Sequence, residues 1–114
     1  MHRAGSNPHD MQISDFLCDF CARVWDGTFA MVEGHRGSLI CDKCLAVAYA
    51  DVVHAGANHG PGLKCTMCLE ERKDAQWRSP VRDEAVICLR CIKQSATQLE
   101  KEAESGWTRP QAPN

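Results

Sequence analysis

The chain has 114 residues, 15 acidic and 13 basic side chains and a formal charge of −2. That length suits one small domain or two very small ones, and a near-balanced charge speaks against a general nucleic-acid binder, which relies on clustered lysine and arginine. No stretch of about 18 apolar residues is present, so no membrane-spanning helix is expected.

Residues 1–14 are mostly polar and include Gly5, Asn7 and Pro8, which reads as a flexible N-terminal tail. A first unit follows over 15–54. It opens with the knuckle Cys18-x2-Cys21, continues through a segment of β character from Val24 to Val32, turns at 33–37 and re-enters a short apolar strand, Ser38 to Ile40. A second knuckle, Cys41-x2-Cys44, runs into a helix expected over 42–53, whose Leu45, Val47, Ala48, Tyr49, Val52 and Val53 cover most of its circumference and mark it as buried. A breaker-rich linker covers 55–62. The second unit, 63–104, repeats the order: Cys65-x2-Cys68, a β segment from Ala75 to Val81, a turn at 82–84, the strand Ala85 to Ile87, then Cys88-x2-Cys91 opening an amphipathic helix over 89–104 with Leu89, Ile92, Ala96 and Leu99 on one stripe. Residues 105–114 read as a flexible C-terminal tail containing Trp107.

The eight cysteines repeat with one offset of 47 residues, and each unit places 19 residues between its knuckles. This is a tandem duplication of a four-cysteine unit. A unit of about 40 residues buries too little apolar surface to fold without a staple, and a structural zinc ion supplies on the order of 10 kcal/mol of apparent binding energy to folding. Disulfides are the other use of eight cysteines. The polar first ten residues, which lack the apolar core of a signal peptide, and the convergence of CxxC thiolates on one ion favour metal, and with it a reducing, cytoplasmic compartment. The candidate ligands are Cys18, Cys21, Cys41 and Cys44 for one ion and Cys65, Cys68, Cys88 and Cys91 for a second. A cross-braced pairing of first with third knuckle is the alternative; a duplicated unit with a full ligand set favours sequential pairing. Two divalent ions on eight thiolates would take the net charge to about −6. The five histidines show no repeating spacing and are expected outside the metal sites. Four thiolates also suit iron, and zinc is the ion expected in such a closed structural set. Knuckle, β-hairpin, knuckle and helix is the order of a treble-clef finger, so the expected fold is small α+β with two treble-clef-like zinc units.

The first unit resembles a known family. Phe16-Leu-Cys-Asp-Phe-Cys21, the turn Val32-Glu-Gly-His-Arg-Gly37 and Leu39-Ile-Cys-Asp-Lys-Cys44 before an apolar helix are similar to the four-cysteine zinc-binding domain at the N-terminus of the ClpX unfoldase. The second unit keeps the spacing but has Ser79-Pro-Val-Arg82 in place of the glycine turn. The resemblance implies a treble clef that self-associates and binds substrates and adaptors, and so suggests two fused copies packed as an intrachain pseudo-dimer, either a monomer or a homodimer. The chain carries no P-loop and no room for an ATPase module, so unfoldase activity is not expected. The expected function is non-enzymatic: a structural zinc module for protein–protein recognition, an adaptor or substrate-docking protein related to ClpX-type proteolysis, with no membrane partner. A small nucleic-acid-binding zinc-finger regulator is the alternative. It is disfavoured by charge, since Lys43 is the lone cation of the first helix and the second helix offsets Arg90, Lys93 and Lys101 with Glu100, Glu102 and Glu104.

Overall fold

In a computed structural model that describes residues 1–60 and 62–112, each unit forms a short antiparallel hairpin followed by a helix. In the first unit β1 (Met31–Glu33) pairs with β2 (Leu39–Cys41), and α1 (Asp42–Tyr49) follows directly. In the second, β3 (Gln76–Arg78) pairs with β4 (Val86–Cys88), and α2 (Leu89–Lys101) follows. Pro61 of the linker and Pro113 and Asn114 of the C-terminal tail lie outside the described residues.

The repeat extends well beyond the cysteines. The Asp19 N–H donates to Leu39 O and the Leu39 N–H to Asp19 Oδ2, at 2.8 and 2.6 Å. Forty-seven residues on, Thr66 and Val86 make the same exchange at 2.8 and 3.1 Å, with a hydroxyl in place of the carboxylate. The hairpins break this register. Met31 lies opposite Cys41, whereas Gln76 lies opposite Cys88, so the outer strands are offset by 45 residues, not 47. The second unit reaches its outer strand two residues sooner and spends two more in its hairpin turn, between Ser79 and Ala85. The constant cysteine spacing thus conceals a two-residue difference in where the outer strand falls. It also places Trp77 against Ile87, where the first unit has Val32 against Ile40.

The expected β segment from Val24 to Val32 is a strand only at its end. Asp26 Oδ1 accepts the Thr28 N–H at 2.9 Å and Gly27 sits at φ +83°, so a side-chain-capped turn replaces the strand. The helix expected over 42–53 is α-helical to Tyr49 and continues as a π turn over Ala50–His54. The wider turn accompanies an anchor made by Asp51, whose carboxylate accepts the Trp77 Nε1–H of the other unit at 3.1 Å. The second helix ends at Lys101 instead of 104.

One core runs through both units. Phe20, Val32, Ile40, Leu45, Tyr49 and Val52 join Met67, Trp77, Ile87, Ile92 and Leu99 in a single buried cluster, and α1 packs on α2. Contact between the units is reciprocal. The first hairpin turn sends the His35 N–H to Met67 O at 2.8 Å, in the second unit's knuckle. The second hairpin turn sends the Ser79 hydroxyl to Phe20 O, the matching carbonyl of the first knuckle. Pro80 follows Ser79 and has no N–H to offer, so the hydroxyl takes over the donor role. Phe20 lies 5.8 Å from Trp77, ring centre to ring centre.

Both terminal segments make contacts. The Met1 ammonium donates to Leu17 O, Asp19 Oδ2 and Gly37 O at 2.9, 2.8 and 3.0 Å. At the other end Trp107 Nε1 donates to Asp42 O at 3.1 Å. Arg109 grips Glu100 through Nε and its own backbone N–H, at 2.9 and 3.0 Å, and lies over the Tyr49 ring.

Candidate metal centres

Each first knuckle is a tight turn. The Ala22 N–H returns to Cys18 O at 2.8 Å and the Cys18 N–H reaches Arg23 O at 3.1 Å; Leu69, Cys65 and Glu70 repeat this at 2.8 and 2.9 Å. The turn closes because the residue after the second cysteine is left-handed, Ala22 at φ 61° and Leu69 at φ 62°. Each second knuckle begins at a helix start. Cys41 and Cys88 are extended and precede the first helical residue, while Cys44 and Cys91 project from the first turn. Thiolates at that position meet free N–H groups and the positive end of the helix dipole. Backbone N–H groups also aim at sulfur: Phe20 and Cys41 at Cys18 Sγ, 3.4 and 3.3 Å, and Cys88 at Cys65 Sγ, 3.4 Å.

These turns assemble the cysteines by the sequential pairing. Cys18, Cys21, Cys41 and Cys44 form one group and Cys65, Cys68, Cys88 and Cys91 the other, with all sulfurs of a group within 4.8 Å of one another. Cys21 and Cys41 lie 3.8 Å apart and Cys68 and Cys88 4.0 Å, sulfur to sulfur. An ion bonded tetrahedrally to four sulfurs at about 2.3 Å spaces them about 3.8 Å apart, whereas a disulfide needs about 2.0 Å. All eight cysteines are free, so the donor sets fit a metal ion. None of the histidines joins a group: His2 meets Phe16 edge to face, and His54 bonds Pro110 O.

The crowded sulfurs polarise one another. Cys18 and Cys44 donate to Cys41, which is held far below the ordinary thiol range. In return, its bond to Cys41 pushes Cys18 up to about 12, and bonds to Cys18 and Cys41 raise Cys44. The second group behaves alike: Cys65 is lowered by Cys88 and Cys91, Cys88 is pushed up to about 12 by Cys65, and Cys91 is raised by Cys65 and Cys88. In each group the bonds between sulfurs lower one thiol and raise two others.

Sequence reasoning missed the clamps that hold the knuckles. Asp19 and Thr66 sit between the cysteines of a pair, and a polar side chain at that position was the available signal. Asp74 receives the Arg90 N–H at 3.1 Å at the start of α2 and pairs with Arg72 at 2.8 Å. Burial opposes its ionisation, yet the Arg90 N–H and the Arg72 guanidinium hold its carboxyl below the usual range.

Two closed four-cysteine groups, each built from a knuckle and a hairpin leading into a helix, define a small α+β module able to hold two metal ions. No family model, curated protein or solved structure matches the chain.

Proposed function

We propose that the chain is a non-catalytic structural zinc protein, two treble-clef units fused into an intrachain pseudo-dimer, that works by protein–protein recognition. The observation that carries this reading is the pair of closed four-sulfur groups. Cys18, Cys21, Cys41 and Cys44 would hold one ion and Cys65, Cys68, Cys88 and Cys91 the other. A set of four protein ligands leaves no open position for substrate and supplies cross-linking, not Lewis-acid chemistry. An adaptor or substrate-docking role of the ClpX type follows from the resemblance of the first unit, and the reciprocal hairpin contacts support a fused pair.

Arginine pairing weighs against nucleic acid. Arg23 meets Asp42, Arg72 meets Asp74, Arg82 meets Glu84, Arg90 meets Glu70 and Arg109 meets Glu100, so five of the thirteen cationic side chains are already neutralised by a carboxylate and are not open to phosphate. Native mass spectrometry near neutral pH tests the metal reading. Two zinc ions on a monomer are expected, whereas a mass reduced by disulfide formation, with no metal, overturns it. A salt-dependent mobility shift with duplex DNA would favour a nucleic-acid regulator instead.

A further inference from the structure

The two cysteine groups share one backbone plan, but the side chains around them differ. Cys44 is half-buried, whereas its counterpart Cys91 is buried, so the second group holds three buried cysteines and the first two. The residue before this cysteine differs too: Lys43 in the first unit, exposed, and Arg90 in the second. Arg90 is held from both ends. Its backbone N–H donates to Asp74 Oδ2 at 3.1 Å, and its guanidinium pairs with Glu70. The first unit has no such clamp among the described residues. Arg23 stands where the second unit has Glu70, and it is committed to Asp42 at 3.1 Å and to the Phe29 ring, 3.4 Å away.

The Arg90 guanidinium also lies against a metal-site sulfur. Arg90 shares a cleft wall with Cys68 and Cys91, and bonds to Glu70 and then to Cys68 raise it above its ordinary range. Its Nε is nonetheless buried without a hydrogen-bond partner among the described residues. A neutral thiol is a weak acceptor and an ionised sulfur a strong one, so Cys68 can use this donor fully only as a metal-bound thiolate. Glu70 touches Cys68 as well. The Arg90–Glu70 pair is therefore neutral beside the sulfur, and the directed N–H is the part that acts. Partners of this kind, outside the ligand set, fix a ligand's orientation and change metal affinity by about 10–100-fold when removed.

We infer that Arg90 is a positioning residue for the second metal centre, bonding the ionised Cys68 sulfur, and that the two centres are unequal: the first group gives up its ion while the second still holds its own. This deepens the structural-zinc reading and rests on it. The zinc-loaded full chain is challenged with excess EDTA, and the freed thiols are pulse-labelled with N-ethylmaleimide and located by peptide mass. The cysteines of the first group are expected to be labelled at least about fivefold faster than those of the second. These wild-type rates test the inequality without any variant. Arg90→Gln is expected to speed labelling of the second group about tenfold and to leave the first unchanged. Glu70→Gln breaks the same ion pair but keeps the guanidinium beside Cys68, and is expected to leave the second group slow. Cadmium NMR of the cadmium-loaded protein adds a readout that a loss of stability alone does not move: two resonances, of which Arg90→Gln shifts one. Equal rates in the two groups, earlier release from the second, equal acceleration by Arg90→Gln and Glu70→Gln, or an unchanged cadmium spectrum would overturn the proposal while leaving two bound ions in place. A chain that takes up no zinc would instead overturn the structural-zinc reading.

Discussion

Ala22 and Leu69 carry side chains in a backbone region that glycine occupies without cost, and they do so at matching positions of the two knuckles. Ala22 is exposed, so replacing it changes conformation with little loss of packing. Ala22→Gly is expected to raise the stability of the metal-loaded protein by up to about 1 kcal/mol, since the left-handed penalty outweighs the added flexibility of the unfolded chain. Thermal unfolding at fixed zinc would show it, and a lower melting temperature would mean that the turn is not strained. Gly34 is the opposite case. A Cβ there would come 2.5 Å from Met67 O, a backbone atom of the other unit. Gly34→Ala should therefore cost about 1–3 kcal/mol and loosen the hairpin-to-knuckle contact, visible as faster hydrogen exchange at the His35 amide. Neither residue could be singled out from the sequence for these reasons. The cysteines were legible because their chemistry fixes their spacing; Ala22 and Gly34 matter only through the backbone or a partner unit distant in the chain.

At the scale of elements, the order knuckle, hairpin, knuckle, helix could be read from residues, and the strand Leu39–Cys41 and the helix starts fell where the apolar runs and the second CxxC pairs placed them. The outer strand of the second hairpin, Gln76–Arg78, lies inside the β segment expected there, and what escaped was how little of Val24 to Val32 is strand in the first. Val24 to Ala30 is rich in β-formers, but the Asp26 carboxylate captures the Thr28 backbone and a glycine turns the chain. The 47-residue offset hid a two-residue slip because the cysteines that define it lie outside the slipped segment. The slip leads to a test. Ser79 supplies through its hydroxyl the donor that Pro80 lacks, and that hydroxyl also accepts the Val81 and Arg82 N–H groups at 3.2 and 3.1 Å. Ser79→Ala leaves Phe20 O and two amides short of partners and should cost about 1–3 kcal/mol, read from chemical unfolding. Ser79→Thr, which keeps the hydroxyl, should recover much of the loss.

For the whole molecule, the Cα radius of gyration of 13.8 Å is close to the roughly 13 Å expected of one compact domain of this length. Solution scattering is expected to report a single compact particle; an extended dumbbell would contradict the shared core. The metal-dependent state should also respond to acid with a definite sign. Cys18 and Cys44 in one group, and Cys88 and Cys91 in the other, are held above their ordinary value and must give up protons to bind a cation. Proton competition therefore strengthens as pH falls through neutrality. Each site should release at least two protons per ion, so its apparent affinity should drop about 100-fold or more for each pH unit lowered. Calorimetric titration of zinc in buffers of different ionisation enthalpy would count those protons, and a count near zero would mean that the sulfurs are already ionised.

The exchange of hairpin turns between units is made through space, and the segment after the π turn both tethers the halves and adds bonds of its own, Asn58 Oδ1 accepting the Gln76 N–H at 3.1 Å and the His59 N–H donating to Gln76 O at 2.7 Å. Proximity along the chain sets the effective concentration of one half for the other. Two separately synthesised halves, divided within that segment, carry all the complementary surfaces and can recombine as a heterodimer. Shortening the tether until it no longer spans the gap would instead drive each half onto its counterpart in a second molecule. Carrying both units on one chain would thus fix a stoichiometry, the number of chains that make one complete body, a property that connector length alone can rewrite without altering a cysteine.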